Sequence, residues 1–304
     1  MSVDLRQPFT RSEARAAGIT DTRLRGPRYR RLFCGIYVGA DVPVDLRLRV
    51  QAALRLAPKG TLVRGVTAAQ LMGGVVPDDA RIHLSVVRGR VRVSGIESTT
   101  RRPAREATMR GVPVTSAEDT FLDLVSRLGL VDLVVLGDSL VKRGRTTPET
   151  LVDAAQARAG RYRRQAVRAA SLVRAGVDSP MESRLRMLLA LAGLPEPVVN
   201  HIEYDEHGGW VRRYDLSFPE HRLAIEYDGR QHAESTKQWE RDVERREELD
   251  LERWRIVVVL SKGIYREPRR TLDRVVRSMA DQGMRAVVTS DEWRLHFAGQ
   301  APSA

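Results

Sequence analysis

The stretch from Arg213 to His232, R-Y-D-L-S-F-P-E-H-R-L-A-I-E-Y-D-G-R-Q-H, holds acidic side chains in a pattern that suits metal-assisted hydrolysis. Two apolar-alternating runs flank Pro219-Glu220-His221, which predicts a β-hairpin. With the turn centred between Glu220 and His221, Asp215 faces Glu226, and directly opposed residues have Cβ atoms about 5 Å apart. Two carboxylates that close repel, and a protein seldom buries such a pair without a cation between them. Alternation along the second strand puts Ala224, Glu226 and Asp228 on one face and Leu223, Ile225 and Tyr227 on the other. Oxygen donors without cysteine suit a hard cation, Mg²⁺ or Mn²⁺, which also bridges to phosphate oxygens. The same acids are alternatively a charged outer face neutralised by Arg212, Arg213 and Arg222.

Ser179-Pro180-Met181-Glu182 opens a helix upstream, with Ser179 as N-cap, Pro180 in the first helical position and Glu182 three residues after the cap. Glu182 is either a capping-box residue or a further metal ligand, because Leu185 and Leu189 continue its stripe toward the sheet. Downstream, a helix from about Thr236 to Leu251 carries Asp242 and Arg245 at i,i+3, an ordinary ion pair or a support for the site. It leads to Trp254 and an apolar run, Arg255 to Leu260, of the kind buried within a sheet. His232 closes the turn that follows the acidic strand. An imidazole there could take a proton from water or hold a phosphate oxygen, and Arg230 could neutralise charge developing in the transition state. An ordinary turn histidine is the alternative.

The N-terminal elements point to the substrate class. Thr10 caps a helix across Glu13 to Ala17 that Gly18 ends, Asp21 caps a second across Leu24, and an alternating run covers Tyr29 to Val38. This is the layout of a small winged helix-turn-helix. Residues 1–40 hold eight Arg against Asp4, Glu13 and Asp21, and Arg23, Arg25, Arg28, Arg30 and Arg31 are the candidate DNA contacts. The mixed region beyond reads as helices over Leu46–Leu56, Thr67–Met72 and Ala117–Leu128 and strands over Ile82–Val87 and Val112–Thr115. His83, alone in its strand, reads as a surface or structural residue. Residues 142–174, with nine basic residues against Glu149 and Asp153, read as a helical connector with a basic face.

A chain of 304 residues has length for about two domains and real cores. The expected class is α/β (α+β), divided as a winged helix-turn-helix over 1–42, a mixed region over 43–140, a connector over 141–177, a nuclease domain over 178–290 and a tail over 291–304. With 51 Lys and Arg against 39 Asp and Glu, the net charge of +12 points to a polyanion, and duplex DNA is the expected partner. Only Lys59, Lys142, Lys237 and Lys262 are lysines, so the charge is carried by arginine forks suited to phosphate. The single Cys34 excludes an intramolecular disulfide and fits a reducing cytoplasm. No apolar run is long enough to span a membrane, and the N-terminus lacks a signal-peptide core. A homodimer stays open, and an aromatic content of 5% argues against an RNA-processing enzyme built on base stacking.

The N-terminal half, through Gly35-Ile36-Tyr37-Val38, Thr67-Ala68-Ala69 and Val112-Pro113-Val114-Thr115-Ser116, resembles the AbiEi-type antitoxin and transcription-regulator fold. The C-terminal part, through Ser179–Glu182, Asp215, Ile225–His232, Asp242-x-x-Arg245 and Trp254, resembles the Vsr-like (very-short-patch-repair) endonuclease domain of the PD-(D/E)XK superfamily. The second resemblance implies a mixed sheet flanked by helices, with Asp215 and Glu226 as metal ligands, the Tyr227 carbonyl as another and Glu182 entering from the first helix. The chain departs from that superfamily where Glu226-Tyr227-Asp228 replaces Glu-x-Lys, which leaves water activation to His232 or to a second metal at Asp228. The expectation is a Mg²⁺- or Mn²⁺-dependent DNA endonuclease. The alternative is an antitoxin-type regulator, with or without a toxin partner, that keeps an inactive nuclease-like domain.

Overall fold

The computed structural model describes residues 3–100, 104–204, 207–229 and 254–297, which form helices and mixed sheets of an α/β fold. The chain divides into two units, one of residues 1–127 and 149–167, the other of residues 128–148 and 168–304.

The first unit begins with β1 (Phe9–Thr10) and α1 (Arg11–Ala16). The Thr10 hydroxyl accepts the Glu13 N–H while the Glu13 carboxylate accepts the Thr10 N–H, a reciprocal capping box. Helix α2 (Asp21–Leu24) is capped by Thr20 rather than by Asp21. The Asp21 carboxylate is instead drawn to the guanidinium groups of Arg11 and Arg15. The run from Tyr29 is two strands and not one: β2 (Tyr29–Phe33) and β3 (Ile36–Gly39) form a hairpin about Cys34-Gly35, where Gly35 supplies a φ of 78°. β1 pairs on the far side of β3, and Phe9, Ala14 and Leu24 are buried with Tyr29 and Tyr37 packed against them.

Helix α3 (Leu46–Leu54), capped by Asp45, leads to β4 (Leu62–Val63), α4 (Gly65–Leu71), β5 (Ile82–Val86), β6 (Ile96–Thr100), β7 (Glu106–Met109), β8 (Val112–Thr115) and α5 (Ala117–Leu124). The five strands lie in the order β6-β5-β4-β8-β7, with β4–β8 and β5–β6 parallel. All five residues of β5 are buried, so His83 has no solvent face. Its Nδ1 lies 3.1 Å from Thr67 Oγ1 and its Nε2 3.3 Å from Asp79 Oδ2, the contacts of a structural histidine.

Helix α6 (Leu130–Lys142) belongs to the second unit, α7 (Pro148–Ala157) to the first, and α8 (Arg163–Ser171) begins in the first and ends in the second. The stretch expected to act as a connector is therefore shared between the two units.

In the second unit α9 (Pro180–Leu191) precedes β9 (Val198–Tyr204), β10 (Trp210–Phe218), β11 (Leu223–Asp228) and β12 (Arg255–Leu260). The sheet order is β12-β11-β10-β9, antiparallel except for β11–β12. Then come α10 (Ser261–Tyr265), α11 (Pro268–Asp281) and α12 (Arg294–Phe297). Leu136, Leu140, Leu188, Leu216, Ile225 and Leu272 are fully buried. Strand β12 is an edge among the described strands, not an interior strand, and its Val258 and Leu260 are exposed. Nor are residues 291–297 a loose tail: Trp293 and Phe297, spaced i,i+4, are both buried, and the N–H groups of Thr289 and Ser290 donate to the Ala192 carbonyl at the end of α9.

Candidate active site

The β10–β11 turn is a single 3₁₀ turn over Pro219–His221 followed by Arg222 at φ 47°, and the register matches the sequence expectation through Phe218↔Leu223, Ser217↔Ala224 and Leu216↔Ile225. One step further, regular pairing gives way. Asp215 Oδ2 accepts the Tyr227 N–H at 3.0 Å, and Arg212 Nη2 donates to Glu226 Oε1 at 3.0 Å. Strict alternation would place Arg212 on the face of Leu216 and Ile225, opposite to Glu226, so their contact marks a departure from it near Asp215. Asn200, which would stand beside Asp215 on β9, takes a φ of 50°, and the β9–β10 pairing skips that step. The plain rung between Asp215 and Glu226 is thus replaced by these contacts, while the two carboxylates stay within electrostatic reach of each other. The Arg212 guanidinium also lies 5.1 Å from the centroid of the Tyr214 ring, which stacks on Trp254 at 4.2 Å.

Burial pushes the Asp215 carboxyl up to about 6; the Tyr227 N–H opposes the rise, the charges of Glu182 and Glu226 add to it, and Arg213 offsets part of it. Glu182, itself buried, donates its N–H to Ser179 Oγ at 3.1 Å and accepts the Asp178 N–H at 2.9 Å. It is therefore part of the helix cap, and its charge also reaches Asp215. Arg213 pairs with Asp178 at 2.5 Å, so of the arginines expected to neutralise the acidic strand it is Arg212 that binds Glu226. Asp228 ends β11 beside Leu260, and Tyr227 pairs with Val259. Arg230, His232, Asp242, Arg245 and the expected helix over 236–251 lie outside the described residues.

Among the described residues no group of three or more His, Cys, Asp or Glu side chains is arranged to hold a metal ion. Mg²⁺, however, is commonly held by one or two carboxylates and completed by water. Asp215 and Glu226 supply such donors, and a divalent cation would offset the burial and, after it, the nearby charges of Glu182 and Glu226 that hold the Asp215 carboxyl high. Donor type and charge therefore fit a hard cation.

In the first unit Arg23, Arg25, Arg28, Arg30 and Arg31 are all exposed, and Arg30 donates to the Ala40 carbonyl at 3.0 Å. The sequence reading passed over Arg88, Arg90 and Arg92, exposed in the β5–β6 connection. That connection ends at Gly95, where an added Cβ would lie 3.3 Å from the Phe33 ring, so it borders the β2–β3 hairpin. The R-x-R-x-R spacing was the available signal. Also passed over was the arginine row of α11, Arg270, Arg274 and Arg277.

No family model matches the chain. Over 262 residues it is 26% identical to uncharacterized proteins of two Mycobacterium tuberculosis strains, CDC 1551 / Oshkosh and ATCC 25618 / H37Rv, covering 85% of this chain and 95% of each relative. The likeness runs through both units and brings no activity with it. No helix among the described residues is long and apolar enough to cross a membrane.

Proposed function

We propose that the chain is a metal-dependent DNA endonuclease whose first unit supplies duplex affinity and whose second unit hydrolyses the phosphodiester. The observation that carries this reading is the half-buried Asp215, raised to about 6 by its burial and set beside the charges of Glu182 and Glu226. Charge of one sign gathered at a cost in stability is a mark of functional sites. Asp215 and Glu226 would hold Mg²⁺ or Mn²⁺, with Glu182 adding negative charge behind them. The ion, when bound, supplies charge neutralisation at the phosphate and an acidified water. The residues do the positioning. The Tyr227 N–H fixes the Asp215 carboxylate, the Ser179 cap fixes Glu182, and Arg212 orients Glu226 while bringing a cation to the place where a phosphate would sit. The exposed arginines from Arg23 to Arg31 track the duplex backbone.

One observation favours a second reading, a DNA-binding regulator of antitoxin type with an inactive nuclease-like unit: Arg212 already neutralises Glu226. Incubation with supercoiled DNA separates the two. The endonuclease nicks or linearises it with Mg²⁺ or Mn²⁺, stops with chelator, and loses at least about a hundredfold in rate in Asp215→Ala, as removal of a group that organises the reacting centre does. An enzyme-free outcome, in which DNA is bound and a specific operator protected but never cut under any divalent metal, establishes the regulator instead.

A further inference from the structure

Beside β12, an edge among the described strands, helix α11 carries Arg270, Arg274 and Arg277 in one row at spacings of four and three. With Arg255 of β12 they line a cleft of about 400 Å³, in which Asp281 is the single acidic lining residue. All four arginines are exposed. Arg274 Nη2 donates to the Val258 carbonyl at 3.1 Å, Arg277 Nε to the Asp273 carbonyl at 3.2 Å, and Arg270 Nη1 stands 3.4 Å from Glu267 Oε2. Each of these three guanidinium groups is thus anchored by one nitrogen and keeps further N–H donors for a ligand. Anchored side chains lose less freedom when they bind, which makes the row better suited to recognition than a solvated fringe of charge.

From Arg270 to Arg277 the row runs seven residue steps, or roughly 10 Å at the helical rise. One strand of duplex DNA presents a phosphate about every 3.4 Å of axis, and because the strand winds around that axis its phosphates stand farther apart than this, so the row and Arg255 together meet about two to three in succession. A single small anion would use one or two forks; a row fits a repeating anion. The cleft also adjoins the candidate site, because Val258, whose carbonyl Arg274 holds, pairs in register with Glu226.

We propose that this cleft grips successive phosphates of the nucleic-acid strand presented to Asp215 and Glu226, an inference that rests on the DNA reading above. The test is fluorescence anisotropy of the full chain with a labelled duplex of about 20 base pairs in chelator, from about 50 to 200 mM salt. Wild type is compared with Arg255→Gln/Arg274→Gln/Arg277→Gln, with Arg255→Gln/Arg277→Gln, and with Arg28→Gln/Arg30→Gln/Arg31→Gln in the first unit. The cleft triple variant is expected to flatten the slope of log affinity against log salt by about 2 to 3, roughly 0.9 per lost phosphate contact, and to bind at least about tenfold more weakly. The double variant keeps the Arg274 anchor on β12 and is expected to flatten the slope by about 2, so a triple variant that fails to fold leaves the test standing. Wild-type binding with unchanged slope in both cleft variants overturns the proposal while leaving the DNA reading intact. So does a cleft variant that loses a poly-glutamate peptide but keeps DNA, which makes the cleft a groove for acidic peptide. A wild-type chain that binds no DNA overturns both.

Discussion

At the residue scale Asp215 ties stability to the proposed function. Its folded-state value of about 6 lies above the ordinary carboxylate range, so the ionised form is disfavoured in the folded chain. Below pH about 4 the group is protonated in both states and exerts no pull; as pH rises through 6 the folded state must accept the charge and loses stability. Asp215→Asn, which can still accept the Tyr227 N–H, is therefore expected to raise unfolding free energy by up to about 2 kcal/mol at pH 7.5, after allowance for solvent screening, and to change little at pH 4. Urea titrations at the two pH values check this; an equal change at both would mean that ionisation of Asp215 is not the cause. Mg²⁺ is expected to raise the melting temperature of the wild type at pH 7.5 and to leave Asp215→Asn unmoved. The nearness of Asp215 and Glu226 was legible because the Pro219-Glu220-His221 turn fixes the register. The grip of Arg212 on Glu226 was not, since it depends on a break in alternation that period-two reasoning assumes away.

At the scale of elements, α6 and α9 are joined by a fully buried ion pair, Arg186 to Asp138 at 2.9 Å, whose carboxylate also accepts the Ser183 hydroxyl and the Arg174 N–H. Burial raises the Asp138 carboxyl, and Arg186 is the first of the groups that hold it down. Asp138→Ala strands a buried guanidinium and is expected to cost about 3 to 5 kcal/mol, whereas Asp138→Leu with Arg186→Met is expected to cost much less. Chemical denaturation of the three chains measures the difference, and a double variant as unstable as the single would show that packing, not charge, sets the cost. None of this pairing was visible beforehand, because V-D-L-V-V-L-G-D-S reads as an apolar run with an incidental acid. Elements announced by local chemistry were legible, such as the Thr10–Glu13 capping box and the Ser179-Pro180 helix start. Strands β4 and β6 were not: one has two residues, and the other, I-E-S-T-T, is held by its neighbours more than by its own pattern.

At the scale of the whole molecule, the chain passes from one unit to the other near residues 127, 148 and 167, so no single cut separates them. A fragment over 178–304, the natural choice from sequence, omits α6 and leaves Arg186 without Asp138. It is expected to melt at least about 10 °C below a fragment over 128–304, or to show no cooperative transition. Thermal melts followed by circular dichroism decide the matter, and equal stability would show that α6 is dispensable. The division was hidden from sequence because the basic composition of residues 142–174 suggested a linker, whereas burial of Leu151, Ala155, Ala166 and Ala170 makes them part of packed cores.

The parallel pairing of β11 with β12 has a consequence during synthesis on the ribosome. Antiparallel neighbours joined by short turns can form as they emerge, but a parallel partner must wait for a return crossing. Among the described strands, the β9–β10–β11 meander can therefore form before β12, the parallel partner of β11, which is complete only once translation has passed Leu260. Bare rims recruit stray strands from other nascent chains, and charged side chains on them are a known deterrent. Glu226 and Asp228 lie on β11, so their charge is expected to disfavour such mispairing while the chain is being made.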